Sequence, residues 1–247
     1  QGFFSTGEDI GISLEDVKIM LQHSHHIIGK PDEAGDLGEI TAKGVLFAMR
    51  AALKEVFGSS SLEGRTVAIK GLGKVGGALA EFVAREGGKV IGAEVNEAAL
   101  ARARTRIPSL AVVPPQKIHR AEADIFAPCA LGGDLNASTI PELRCKIVCG
   151  AANNQLASPE AGVMLHQRGI LYIPDYLANA GGLINVTAEL HKDGYSRERV
   201  EKKVAQIQQT AAKVIALAKR QHIPTAQAAD ALAEEIFLGR RNKKADT

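Results

Sequence analysis

The stretch Val67-Ala68-Ile69-Lys70-Gly71-Leu72-Gly73-Lys74-Val75-Gly76, followed by Val90-Ile91-Gly92-Ala93-Glu94, constrains the fold more than any other part of the chain. It reads as a strand, a glycine turn, a helix start, a second strand and an acid. Gly71 is placed to turn the chain off its strand, Gly73 to let a phosphate approach the backbone, and Gly76 to let the helix pack on the sheet. The helix start, with Lys74 and Val75 in the same loop, offers N–H groups and a partial positive charge. Glu94 ends the second strand about 20 residues on, where a carboxylate can bond a ribose hydroxyl. A glycine triplet alone marks only a turn; with its strand, helix and acid it points to a dinucleotide site. A carboxylate at 94 repels a 2′-phosphate, and neither Val95 nor Asn96 adds positive charge, so NAD is expected rather than NADP.

The 247 residues suffice for one substantial core with a smaller attached element. A formal net charge of +2 gives no reason to invoke nucleic acid or an anionic membrane as partner. No apolar run reaches the roughly 18 residues of a membrane span. No secretory leader is visible, and the chain begins with Gln1 rather than Met, so its start is not taken as the start of a gene. Cys129, Cys145 and Cys149 follow no metal or redox spacing, and a reducing cytoplasm is expected. The cluster His23-Ser24-His25-His26 is read as a solvated helix end, because adjacent histidines share no helix face; no metal is expected.

Short apolar runs at Thr66–Lys70, Lys89–Ala93, Ala111–Val113, Asp124–Ala127, Lys146–Cys149 and Leu171–Ile173 read as strands. Helical stretches such as Ala78–Arg85, Glu97–Arg106 and Pro159–Gln167 lie among them. The alternation predicts an α/β fold, a doubly wound, Rossmann-like parallel sheet covered on both faces. Ser13 is expected to cap a helix to about His23. Gly29 to Gly38 reads as a loop, and an amphipathic helix runs from Thr41 to Phe57 with Val45, Ala48, Ala52, Leu53 and Val56 inward. Arg197–Arg220 and Thr225–Arg241 are helical by periodicity, and Arg240 to Lys244 reads as a frayed tail.

An ordered series of segments resembles the NAD-dependent dehydrogenases of leucine, phenylalanine, valine and glutamate, with the leucine enzymes matching best. The segments are Thr6-Gly7-Glu8-Asp9-Ile10-Gly11, Thr41-Ala42-Lys43-Gly44-Val45, Ser61-Leu62-Glu63-Gly64, the glycine loop, Asp124 to Gly132, Gly150 to Leu156, and Pro174 to Val186. The resemblance spans roughly residues 3–240. It implies that the turns holding Cys129, Ala130, Ala151 and Asn153 lie along a nicotinamide ribose, and that Thr41 and Asn179 contact the nicotinamide carboxamide. Gly7, Leu183 and Val186 match the substrate side-chain pocket; all are uncharged, which excludes a glutamate side chain. Asp9 matches the carboxylate that handles protons during deamination, a reaction that needs a base to move protons on and off nitrogen and oxygen. Gly181 and Gly182 disfavour the helix they open by about 1 kcal/mol each, so a close approach to their backbone is expected, by substrate and nicotinamide on the resemblance.

The family's two substrate-domain lysines, one in a Gly-Gly-Gly-Lys run, have no counterpart here; Lys30, Lys43 and Lys74 lie in other motifs. The expectation is a remnant of the substrate domain over residues 1–40, a cofactor domain over 41–190 and carboxyl-terminal helices over 191–247. The chain would supply the cofactor part of an oxidative deaminase converting an apolar L-amino acid to its 2-oxo acid and ammonia, inactive alone and a homo-oligomer when complete. The second reading is a non-catalytic NAD-binding module or decayed relative.

Overall fold

Side chains alternate along each short strand between two apolar layers, and this alternation sets the architecture. In the computed structural model, which describes residues 4–7, 12–30 and 35–245, the chain opens with β1 (Thr6–Gly7), α1 (Leu14–His23) and β2 (Ile27–Ile28), β1 and β2 pairing in parallel. There follow α2 (Leu37–Phe57), β3 (Thr66–Lys70), α3 (Lys74–Arg85), β4 (Lys89–Ala93), α4 (Glu97–Arg106), β5 (Ala111–Val112), β6 (Ile125–Pro128) and β7 (Ile147–Val148). The remainder is α5 (Pro159–Gln167), β8 (Leu171–Tyr172), α6 (Asp175–Ala178), α7 (Ala180–Thr187), α8 (Arg197–Gln221) and α9 (Thr225–Ala245). Among the described residues the sheet order is β5-β4-β3-β6-β7-β8, all parallel. The chain winds outward from β3 to β5, then returns to place β6 against the other side of β3. A crevice at the carboxyl ends of β3 and β6 is the consequence, and open parallel sheets bind ligands at such switch points.

Val67, Ile69, Ile125, Ala127 and Ile147 face a core shared with α2, α3 and α8. Ala68, Phe126 and Val148 face the opposite layer, with Ile118, Leu135, Ile140 and Leu165. Covering on both faces is what all-parallel strands require. Of the predicted inward residues of α2, Val45, Ala48, Ala52 and Leu53 are buried and Val56 is half-buried, and Ile40, Leu46 and Met49 join the buried set. That helix is apolar around most of its circumference because helices α3, α7 and α8 and the sheet enclose it. No helix among the described residues is long and apolar enough to cross a membrane.

Several element boundaries move. Helix α2 starts at Leu37, four residues before the expected Thr41, because the Asp36 carboxylate accepts from the N–H groups of Gly38 (2.7 Å) and Glu39 (3.3 Å). The pattern Asp36-Leu37-Gly38-Glu39 has capping-box spacing, but it was masked by the acids and glycines around it. Helix α3 begins at Lys74 rather than in the stretch from Ala78, with Gly73 as its N-cap. Helix α9 continues through Arg240 to Lys244, which read as a frayed tail; arginine and lysine are good helix formers and nothing there breaks the helix. Strand β6 runs one residue later than expected, and β7 and β8 are shorter. Ser13 caps α1 as expected, its hydroxyl accepting from Asp16 N while the Asp16 carboxylate accepts from Ser13 N.

Candidate functional site

The three loop glycines occupy three different environments. Gly71 has φ +93°, and a methyl group on it would stand 2.9 Å from Cys129 O and 3.0 Å from Ala130 Cβ. A methyl on Gly76 would collide with Gly71 O and stand 3.0 Å from Cys129 Cβ, so this glycine lets α3 sit down on the loop. A methyl on Gly73 would meet nothing within 4 Å among the described residues. Gly73 is thus required neither by φ nor by packing, and it borders open space at the start of α3. It also supplies no capping side chain, so the first-turn N–H groups, which no intrahelical carbonyl can reach, face that space with the positive end of the helix dipole. An open approach to the positive end of a helix dipole fits the pyrophosphate of a dinucleotide.

Glu94 stands at the end of β4 as expected, and its carboxylate is tied to the loop. Oε2 accepts from Leu72 N at 2.7 Å; Oε1 accepts from Val95 N at 2.8 Å and Asn96 N at 2.9 Å. It therefore shapes the glycine turn as well as presenting negative charge beside it. Behind the loop, Lys70 Nζ pairs with Asp134 at 2.5 Å, joining the end of β3 to the segment after β6. Sequence reasoning missed this pair, which is separated by 64 positions.

The turns after β6 and β7 lie side by side: a methyl on Gly150 would collide with Pro128 O, and one on Gly132 would stand 2.5 Å from Asn153 O. Cys129 and Ala130 thus border the glycine loop, while Ala151 and Asn153 border Asn179. Burial pushes the Cys129 thiol up to about 12 and the Cys149 thiol higher still, so both are neutral fillers rather than nucleophiles. Asn179 Nδ2 donates to Ala151 O (3.1 Å) and Asn153 Oδ1 (2.6 Å). Thr41 lies in the second turn of α2 and does not cap it; its hydroxyl donates to Leu37 O at 2.7 Å. With that proton committed, Thr41 Oγ1 can only accept from a ligand, and a methyl on Gly182 would stand 2.7 Å from it.

Within the chain itself, Gly181 and Gly182 are approached by α2. A methyl on Gly181 would collide with Ile40 O and stand 3.1 Å from Thr41 Cα. Gly181 admits the backbone of α2, and Gly182 leaves room for the Thr41 hydroxyl.

Asp9 lies outside the described residues. Gly7 pairs with Ile28, and a methyl on it would collide with Ile28 O, so strand pairing is itself a reason for glycine at this position. Val186 reaches this segment: its Cγ1 would be 3.3 Å from a methyl on Gly29. Leu183 projects from α7 with 66% of its surface exposed. Glu189, which no motif marks out, holds the amino-terminal segment against the end of α7, its Oε1 accepting from Gly29 N and Lys30 N, each at 3.0 Å.

A glycine loop leading from the first strand to an open helix N-terminus, at the switch point of this strand order, defines a Rossmann-like domain. The family model for Glutamate/Leucine/Phenylalanine/Valine dehydrogenase matches residues 35–105 and 94–237. The chain belongs to that family. It is 46% identical over 237 residues to leucine dehydrogenase of Geobacillus stearothermophilus, covering 95% of this chain and 64% of that protein. It is 43% identical to valine dehydrogenase of Streptomyces albus, covering 98% of this chain and 68% of that one. The crystal structure of L-tryptophan dehydrogenase from Nostoc punctiforme superposes with a TM-score of 0.84 at 37% identity, covering 98% and 70% of the two chains. The chain thus spans about two thirds of the length of these relatives.

Proposed function

We propose that this chain forms the cofactor domain of an NAD-dependent dehydrogenase that deaminates an apolar, leucine-like L-amino acid to its 2-oxo acid and ammonia. The observation that carries the reading is the open space at Gly73 at the start of α3, beside Gly71, which its positive φ and its neighbours require, and Gly76, which packing requires. Gly71, Gly73, Lys74, Val75 and Gly76 would hold the pyrophosphate and Glu94 the adenosine ribose, excluding a 2′-phosphate. Cys129, Ala130, Ala151 and Asn153 would line the nicotinamide ribose, and Thr41 and Asn179 would meet the carboxamide. Bound NAD supplies the hydride acceptor. Gly7, Leu183 and Val186 would border the substrate side chain, and the absence of charge among them supports an apolar substrate. Asp9 would handle protons at the substrate nitrogen and oxygen.

Residues 1–40, in this reading, are the end of a substrate lobe, residues 41–190 the cofactor domain and residues 191–247 helices packed back upon it. A hetero-hexameric glutamate dehydrogenase from Thermus thermophilus that is 26% identical supports an oligomer of the complete protein, taken in this reading as a homo-oligomer. The three unbridged cysteines accord with a cytoplasmic setting.

The test is to follow NADH formation by the complete protein with L-leucine, L-valine, L-phenylalanine and L-glutamate, using NAD and then NADP. Turnover of the apolar amino acids with NAD, and none of glutamate, is expected. NADH binding without deamination would instead mark a non-catalytic module, and failure to bind NADH would sink the reading at its base.

A further inference from the structure

Asp175 opens α6, yet neither of its carboxylate oxygens has a recorded bond to that helix. Oδ1 accepts from the Tyr172 hydroxyl at 2.9 Å, and Oδ2 accepts from the backbone N–H of Asn154 at 2.6 Å. Tyr172 is only 3% exposed, so the carboxylate is fixed from below by a buried phenol. Burial and the Asp175 charge together push that phenol upward, which keeps it a donor. On the other side the carboxylate reaches 21 positions back along the chain to the turn after β7.

The residue it grips there is unusual. Asn154 has φ +53°, the left-handed region, which among the described residues only one other non-glycine, His222, adopts. Asparagine tolerates this conformation better than most residues but does not prefer it. The Asp175 bond to its N–H is a long-range tie that holds it there. The carbonyl of Asn154 meanwhile accepts from Gly133 N at 2.8 Å, so the same residue also anchors the neighbouring turn after β6.

Consequences run to Asn179. With the turn fixed, Asn153 presents Oδ1 to Asn179 Nδ2 at 2.6 Å, and Ala151 O lies 3.1 Å from the same nitrogen. A backbone carbonyl can only accept, so the Asn179 amide has one admissible orientation. Its nitrogen is committed within the turn, and Oδ1 is the acceptor left over. The Asn179 backbone N–H is held too, donating to Asp175 O at 2.8 Å. One residue thus fixes the main chain of Asn179 through its carbonyl and the side chain through its carboxylate. Thr41, its own proton committed to Leu37 O, offers a second acceptor. Two acceptors suit the NH2 of a carboxamide, which has two hydrogens to give.

We infer that Asp175 is a positioning residue that locks the left-handed turn at Asn154 and thereby aims the Asn179 amide oxygen at a ligand carboxamide. This rests on the reading that Asn179 meets the nicotinamide of NAD. Asp175 touches no ligand itself; it selects which atom of Asn179 the ligand finds.

The experiment compares NADH with ADP-ribose, which has the same adenosine, ribose and pyrophosphate but no nicotinamide. Both are titrated by calorimetry against this chain and its Asp175→Ala, Asp175→Asn and Asn179→Ala forms. The parent should bind NADH more tightly. Asp175→Ala and Asn179→Ala should each erode that preference by about tenfold, the scale of one hydrogen bond, while ADP-ribose binding stays within about twofold. Asp175→Asn should recover part of the preference, since its one carbonyl oxygen can still accept from Asn154 N. A double variant combining Asp175→Ala with Asn179→Ala, titrated in the same way, should lose no more than either single one, because both act through the same contact. Loss of both ligands together in Asp175→Ala would reduce the residue to a support of the fold and overturn the inference. A preference intact in Asp175→Ala but lost in Asn179→Ala would overturn the positioning role and leave the carboxamide contact standing. If Asn179→Ala has no effect, the carboxamide reading fails and the inference falls with it.

Discussion

Two glycines three positions apart, Gly73 and Gly76, do opposite things. Gly76 is required by packing, since any side chain there strikes Gly71 O, whereas Gly73 faces open space. Gly73→Val should therefore leave the melting temperature near that of the parent and abolish NADH binding. Gly76→Ala should lower stability by about 1–3 kcal/mol through overpacking and disturb binding only as a consequence. Thermal melts and NADH titration of the two variants check this, and an equal loss of stability in both would remove the special role of Gly73. The spacing of these residues is legible in the sequence, as is the acid at Glu94. Its bond to Leu72 N is not, because a carboxylate at a strand end carries no mark of whether it will turn toward a ligand or toward the loop.

Among elements, the contact of α2 with α7 places both Thr41 and Asn179. Gly181 admits the α2 backbone at Ile40 and Thr41, and Gly44 of α2 lies against Ala178 O and Gly181 N in return. Gly181→Ala should gain a little helix propensity, about 1 kcal/mol, yet lose more to the collision with Ile40 O, for a net loss of about 1–2 kcal/mol. Because α2 would be pushed away, NADH binding should weaken while ADP-ribose binding holds. Denaturant melts and paired titrations test it, and a stabilised variant would show that the helices are free to part. From sequence, two glycines opening a helix signalled a close approach. Which chain approached was decided by the return of α7 across the sheet, and sequence periodicity does not contain that information. The Asp36 cap, though its spacing to Glu39 is local, was hidden among neighbouring acids and glycines, and the Asn154 to Asp175 tie, 21 positions long, left no local mark at all.

At the scale of the whole molecule, the parallel sheet buries several groups that must stay protonated. Burial pushes the Cys145 thiol up to about 11 and raises Cys149 and Tyr172 further. Their folded values exceed the unfolded ones, so the folded chain keeps protons that the unfolded chain releases from about pH 8.5 upward. Stability should be fully present below about pH 8.5 and decline as pH climbs through 11. Urea midpoints at neutral pH and near pH 10 would show the fall, with a shallower slope in Cys149→Ala; a flat profile would mean that these groups titrate normally. By itself the sequence determined the parallel α/β class and the glycine loop, since each follows from local spacing: alternation, glycine steps and an acid at the next strand's end. Tertiary structure alone decided which atoms the site residues leave for a ligand. Asn179 is an acceptor only because Ala151 O and Asn153 Oδ1 have taken its hydrogens. Hydrogen bonds among residues far apart in the chain exist only once the sheet has wound them together, so their donors and acceptors cannot be assigned before the fold is known.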